Sequence, residues 1–333
     1  MSFSVIVLAA GYGSRMCSKD PKTLHSFMDK PVLSWIINVI KLLLPFRIVV
    51  VYGYKGYKLK YSYKFDSSVI WVHQHELTGT GGAVIAGLHY VGNVKNIFIL
   101  CGDVPLIKAN TLKNMLYYGE YYKCVILTAI FKYPYGFGRI LRDENNNIFK
   151  IVEESNATFK EKKIKEINSG IYLISRKHLL NLVSNLNLFN NNELQFTDII
   201  YTISVKIKTK LLSVFYNEDI FGPNTRKELV LLERYFQYKQ AMFFLDRGVT
   251  IKDPNRLDIK GNVIIAKDVS IGINVIIEGN VEIRSGVVIE SNVFIKCSKI
   301  YENVIVGRNS FIENSIIESN SIVKADSKIY CII

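Results

Sequence analysis

The 333-residue chain has little proline (7), little tryptophan (2), five histidines and only five cysteines. Cys17, Cys101, Cys124, Cys297 and Cys331 are odd in number, scattered, and form no C-x-x-C. That fits a reducing cytosol better than a disulfide framework. His73 and His75 alternate on a segment read as a strand and so share a face, but no third ligand adjoins them and zinc is not expected. Long apolar runs are absent as well. The longest candidate, Val39 to Tyr52, carries Lys41 and Arg47, so no membrane span is expected. Acidic residues are outnumbered 29 to 42, for a net charge of +13. The surplus fits either a lysine-rich surface or an anionic ligand such as a nucleotide. No Lys/Arg block with interleaved aromatics occurs, so a nucleic-acid partner is not expected. At 49% hydrophobic and 21% charged, the chain can bury a large core and form two domains.

The first two-thirds alternates strand-like and helix-like segments. Ser4–Ala10, Arg47–Tyr52, Val69–His73 and Asn96–Leu100 read as strands, and Pro31–Leu44 and Gly82–Val91 as helices. This order implies a mostly parallel sheet covered on both faces, with ligands beyond the carboxyl ends of its strands. Leu8-Ala9-Ala10-Gly11-Tyr12-Gly13-Ser14-Arg15-Met16, followed by Pro21-Lys22, stands at one such end. The apolar run has no basic segment ahead of it, so it reads as a buried strand and not as a signal peptide. Gly11 and Gly13 let backbone N–H groups approach phosphate without a clashing side chain. Met16 occupies the last glycine position of the dinucleotide fingerprint, and the loop is not a Walker A loop either.

Asn224 to about Arg247 reads as one long helix, with Asn224 as its N-cap and Gly248 as its stop. Beyond it lies a six-residue repeat. Ile259, Ile265, Ile271, Ile277, Ile283, Ile289 and Ile295 share one lattice. Val263, Val269, Val275, Val281, Val287 and Val293 precede them by two, and turn residues such as Asn262, Asp268, Asn274 and Gly286 precede the valines. This is the hexapeptide signature of a parallel β-helix, here of roughly four coils, with a phase slip after Ile295.

The stretches "LAAGYGSRM…PKTLH", "QHELTGTGGA", "CGDVPL", "GFGRI", "IVEESNAT", "EINSGIY" and "FGPNTR" occur in one order at compatible spacing. In this the chain resembles the bacterial bifunctional N-acetylglucosamine-1-phosphate uridylyltransferase/glucosamine-1-phosphate acetyltransferase family, from residue 4 to about 320. The resemblance implies an α/β fold with a Rossmann-like nucleotidyltransferase domain at 1–222. A helical arm at 223–248 and a shortened left-handed β-helix at 249–333 would follow, the last able to form a homotrimer. The implied substrates are UTP and N-acetylglucosamine 1-phosphate. The products would be pyrophosphate and UDP-N-acetylglucosamine, a precursor for peptidoglycan and lipid A.

The resemblance also implies the site. Arg15 and Lys22 are catalytic, Arg15 offering paired donors to pyrophosphate and Lys22 a point charge near the α-phosphate. Leu8, Ala9, Ala10, Gly11, Gly13, Lys22, Gln74, Gly79, Thr80, Cys101, Gly102 and Asp103 bind the nucleotide. Gly138, Glu153, Asn168 and Asn224 bind the sugar phosphate. Asp103 and Asn224 hold Mg²⁺, for which two protein oxygens suffice when phosphates and water supply the rest.

The chain departs from the family pattern at Ser14, at Cys101 where a tyrosine is usual, and at Pro223. It also has no histidine after His178 and no match for the family's acetyltransferase residues. Two other readings stay open: a nucleotidyltransferase for a different sugar 1-phosphate such as glucose 1-phosphate, or a non-catalytic sugar-nucleotide-binding remnant. Acetyl transfer is not expected of these residues. Incubation with acetyl-CoA and glucosamine 1-phosphate should release no free CoA, and steady release in a thiol assay would refute this expectation.

Overall fold

A computed structural model describes residues 2–11, 13–53, 55–62, 67–76, 78–184 and 194–331. Tyr12 and Leu77 of the quoted motifs, and Ile332 and Ile333, lie outside the described residues. The chain forms two compact units, 1–226 and 227–333.

The first unit is built on a mixed, mostly parallel sheet. Its strand order is Thr209–Ser213, Cys124–Ile130, Glu166–Ser175, Asn96–Cys101, Phe3–Ala9, Ile48–Tyr52 and Val69–His73. Only the Glu166–Ser175 strand runs against its neighbours in this row. The central strands read as unbroken apolar runs because both faces are covered. Val5, Val7, Val50, Phe98 and Leu100 face one core, and Ile6, Val49, Val51, Ile97 and Ile99 face the other. Helices Val32–Lys41 and Gly79–Leu88 cover these faces, the first through Leu33, Ile36, Ile37 and Ile40 and the second through Ala83, Val84 and Leu88. An antiparallel pair, Arg139–Arg142 with Ile148–Val152, joins the sheet through the Glu166–Ser175 strand. Among the described residues no helix is long and apolar enough to cross a membrane.

Two local expectations are corrected. The long helix spans Arg226–Leu245, so Asn224 stands outside it and is not its cap; its side-chain oxygen is engaged elsewhere. His75 lies past the end of the Val69–His73 strand, yet the His73 and His75 rings still meet, with their Nδ1 atoms 3.2 Å apart.

The second unit is a parallel β-helix. Its early strands pair with residues eighteen further on (Ile259 with Ile277), and its later ones with residues seventeen further on (Ile300 with Ile317). The repeat isoleucines and valines fill the interior, and only Val263 is partly exposed. Two corners turn at the expected residues, with positive φ at Asp268, Asn274, Gly286 and Asn292. The third turns one residue earlier than expected, at Gly261 (φ 105°) and Gly279 (φ 78°) and not at Asn262 and Asn280. There the strands Leu257–Ile265 and Val275–Ile283 bend without breaking their ladder. The phase slip is the loss of one residue at this corner, where Cys297 (φ 46°) takes the place of Gly279.

One corner carries an asparagine ladder. Asn274 Nδ2 donates to Asn292 Oδ1 (3.0 Å), Asn292 to Asn309 (3.1 Å), and Asn309 to Asp326 (2.9 Å). Asparagine tolerates the left-handed conformation and its amide pairs up and down the column. Asn292→Ala should lose about 1–2 kcal/mol through backbone strain and two ladder bonds. Asn292→Gly keeps the backbone conformation and should lose less. Denaturant midpoints of both variants test this, and equal losses would remove the conformational part of the explanation.

Candidate active site

Three strand ends converge on one cleft. Phe3–Ala9 delivers Ala10, Gly11 and Gly13, Val69–His73 delivers Gln74, and Asn96–Cys101 delivers Gly102 and Asp103. The cleft, about 390 Å³, is lined by Leu8, Ala9, Ala10, Gly11, Gly13, Arg15, Lys22, Gln74, Gly79, Thr80, Cys101, Asp103 and Asn224. Of the expected nucleotide residues only Gly102 is missing from the lining. It is buried behind it, its N–H bonded to Leu8 O at 2.8 Å, and a Cβ there would meet that carbonyl oxygen at 2.9 Å. Gly13 is equally constrained: its φ is +61°, and a Cβ would come within 2.8 Å of Lys22 Cβ.

The centre of the cleft is ionic. Lys22 Nζ donates to Asp103 Oδ2 and to Asn224 Oδ1 (2.8 Å). Arg15 Nη2 donates to the same Asn224 oxygen at 3.0 Å. The Lys22 side chain is only 12% exposed and begins a short 3₁₀ turn, Lys22–Leu24, directly after Pro21. Gln74 is buried and its amide donates to Gly79 O (3.2 Å), and the Thr80 hydroxyl bonds Gln195 Oε1 (3.3 Å). Asp103 and Asn224 meet on a cation already, and both are hard oxygen donors, so the set fits a magnesium ion.

A second hollow of about 380 Å³ adjoins the first and shares Leu8, Arg15, Thr80, Cys101, Asp103 and Asn224 with it. Gly138, Glu153 and Asn168 line it, so the structure brings all the expected sugar-site residues to one place. Asn168 lies within a bulged strand, and not in a turn; its amide donates to the Tyr172 hydroxyl at 2.6 Å. Burial pushes the Tyr172 phenol well above its usual range. Burial also pushes the Cys101 thiol up to about 12, helped by the Asp103 charge; its Sγ lies 3.6 Å from Gly170 O.

A family model described as a MobA-like NTP transferase domain matches residues 5–164. "Bifunctional protein GlmU" of Wigglesworthia glossinidia brevipalpis is 39% identical over 326 residues, 96% of this chain and 70% of that protein. The chain belongs to the GlmU family. GlmU of Nitrosococcus oceani is 37% identical over 277 residues, 82% of this chain, and the match spans only 60% of that relative's length. In fold, the nucleotidyltransferase part is similar to a solved UDP-glucose pyrophosphorylase with UDP-glucose bound. The TM-score is 0.58 at 18% identity, over 72% of this chain and all of that one.

In this GlmU-family chain the second hollow also uses residues that the sequence did not single out. Thr197, buried at the start of the Phe196–Lys206 helix, faces the Glu153 side chain and favours its charged form. Arg139, fully buried, pairs with Glu154 at 2.6 Å and donates to Phe137 O, which fixes the wall that carries Glu153. Phe137, Phe196 and Gln195 also line it. The Thr-Asp pair opening an apolar helix was the one local signal for Thr197.

Burial raises the pKa of Glu153 above its ordinary 4.5, against the pull of Thr197. The folded chain therefore keeps this proton to higher pH than the unfolded chain does. Stability from this group is full below about pH 4.5 and is lost as pH rises through the folded value. Glu153→Gln should thus raise the melting temperature at pH 7.5, with the gain shrinking as pH falls towards 4.5. A gain independent of pH would rule out burial of the charge as its cause.

Proposed function

We propose that this chain is a magnesium-dependent uridylyltransferase. In this reading it joins UTP and N-acetylglucosamine 1-phosphate into UDP-N-acetylglucosamine and releases pyrophosphate. The observation that carries the reading is the meeting of Arg15, Lys22, Asp103 and Asn224 at the boundary of two adjoining hollows, one glycine-walled and one lined by Glu153 and Asn168. Membership of the GlmU family and the matching NTP transferase domain support the same reading.

Each residue has a defined task in it. Gly11 and Gly13 keep side chains out of the triphosphate's path. Gln74, Gly79 and Thr80 present amide, backbone and hydroxyl groups to the base. Glu153 and Asn168 hold the sugar hydroxyls and acetamido group, oriented by Thr197 and Tyr172. A phosphate oxygen of the sugar phosphate attacks the α-phosphorus in line. The new P–O bond forms as the bond to the β-phosphate oxygen breaks, and the electron pair leaves on pyrophosphate. Lys22 neutralises charge at the α-phosphate, and Arg15 does so on the leaving group. Asp103 and Asn224 would hold Mg²⁺, which when bound adds further neutralisation of phosphate oxygens. The proposal extends to assembly of three copies through the β-helix, whose outer face carries the exposed column Val288, Ile305 and Ile322. It does not extend to acetyl transfer.

The test is pyrophosphate release from UTP with N-acetylglucosamine 1-phosphate and, in parallel, with glucose 1-phosphate. Turnover should need Mg²⁺ and favour the acetylated sugar, and Arg15→Ala should lower kcat/KM about a hundredfold or more. Faster turnover of glucose 1-phosphate would favour a different sugar nucleotide, and near-wild-type turnover of Arg15→Ala would sink the role given to Arg15.

A further inference from the structure

The two oxygens proposed above as metal ligands are not idle in the ligand-free chain. Asn224 Oδ1 accepts from Lys22 Nζ at 2.8 Å and from Arg15 Nη2 at 3.0 Å. A carbonyl oxygen has two lone pairs, and the protein's own cations take both. Asp103 Oδ2 accepts from the same Lys22 ammonium. We infer that Lys22 occupies the metal position in the nucleotide-free protein and leaves it when the nucleotide's phosphates arrive, so that this chain takes up its divalent ion with the nucleotide and not before it. The inference rests on the metal and nucleotide reading of this site.

The chemistry makes the two occupancies exclusive. A divalent ion on Asp103 and Asn224 needs an Asn224 Oδ1 lone pair that the protein's own cations hold, and would have to share the Asp103 carboxylate with the ammonium. The two cations would also stand almost in contact, in a cleft where Lys22 is 12% and Asp103 25% exposed. Removing the ammonium without a replacement leaves Asp103 uncompensated, so Lys22 stays until another anion competes for it. A triphosphate does so, offering Lys22 and Arg15 several charged acceptors at once. The lysine can make that change from a fixed base. Its backbone starts the Lys22–Leu24 turn, its Cβ packs on Gly13 of the glycine loop, and its four-carbon stem is flexible. The phosphates that draw Lys22 away are then beside the two oxygens it vacates. Nucleotide and metal binding thus favour each other, by the same factor in both directions.

The experiment uses Mn²⁺ as the probe. Free Mn²⁺ is read by electron paramagnetic resonance in solutions of the full chain, with and without a non-hydrolysable α,β-methylene analogue of UTP. The nucleotide-free wild type should bind Mn²⁺ weakly. Lys22→Met, which keeps length and loses charge, should bind it about tenfold more tightly. Lys22→Gln is a second variant in case the first folds poorly, and near-ultraviolet circular dichroism reports folding of both. Adding Asp103→Asn to either variant should abolish the gain. The analogue should tighten Asp103-dependent Mn²⁺ binding in the wild type, and much less in the Lys22 variants. If folded Lys22 variants match the wild type while the analogue-loaded wild type holds Mn²⁺ through Asp103, the inference about Lys22 is overturned and the metal reading stands. Asp103-dependent binding of equal strength with and without analogue in the wild type overturns it too. If Asp103→Asn changes Mn²⁺ binding under no condition, both fall.

Discussion

The Lys22 ammonium, bonded to Asp103 and Asn224, joins three segments that are remote in sequence. It can do so only if the loop after the first strand, the end of the Asn96–Cys101 strand and the stretch before the last long helix meet at one point. The parallel pairing of Phe3–Ala9 with Asn96–Cys101 provides the first two, aligning Leu8 with Cys101. Gly102 lets the two strand ends approach, and Gly13 lets the loop close over the lysine stem. The ion pair is therefore less a source of stability than a statement of where the backbone must be. Partly buried ion pairs contribute little net free energy, but they leave an expensive charge behind when one partner is removed.

In the proposed reaction the two hollows divide the work by their chemistry. The first concentrates cations and backbone groups, which suits phosphates. The second is organised by neutral or partly neutralised polar groups set among aromatic rings. Asn168 is fixed by Tyr172, Glu153 faces Thr197, and the wall behind them is fixed by the Arg139–Glu154 pair. Charge that develops in one place and hydroxyls that are recognised in another need different surroundings, and the strand ends and the bulged Glu166–Ser175 strand supply them separately.

Much of this was legible in the sequence, for identifiable reasons. Val5–Leu8 and Ile97–Leu100 are fully apolar because both sheet faces are covered, and such runs need no partner to be recognised. The six-residue lattice is legible because every isoleucine on it points inward. Asn224 was misread as a helix cap. An asparagine before a helix usually is one, and only the fold shows Lys22 and Arg15 arriving at its oxygen. Thr197 and Arg139 were missed because their roles depend on Glu153 and Glu154, groups that no local spacing ties to them. The same holds for the third β-helix corner, where Gly261 and Gly279 take the positive φ that the neighbouring asparagines were expected to adopt.

That third corner has a wider meaning. Coils of eighteen and of seventeen residues stack on each other without any strand losing its partner, because the missing residue comes out of the bend between Lys296 and Lys299. The walls of this prism keep a fixed gauge while its edge takes up slack. Insertions or deletions at that edge would leave the interior columns aligned, so the edge is the place where such a scaffold can change length by single residues and keep its shape.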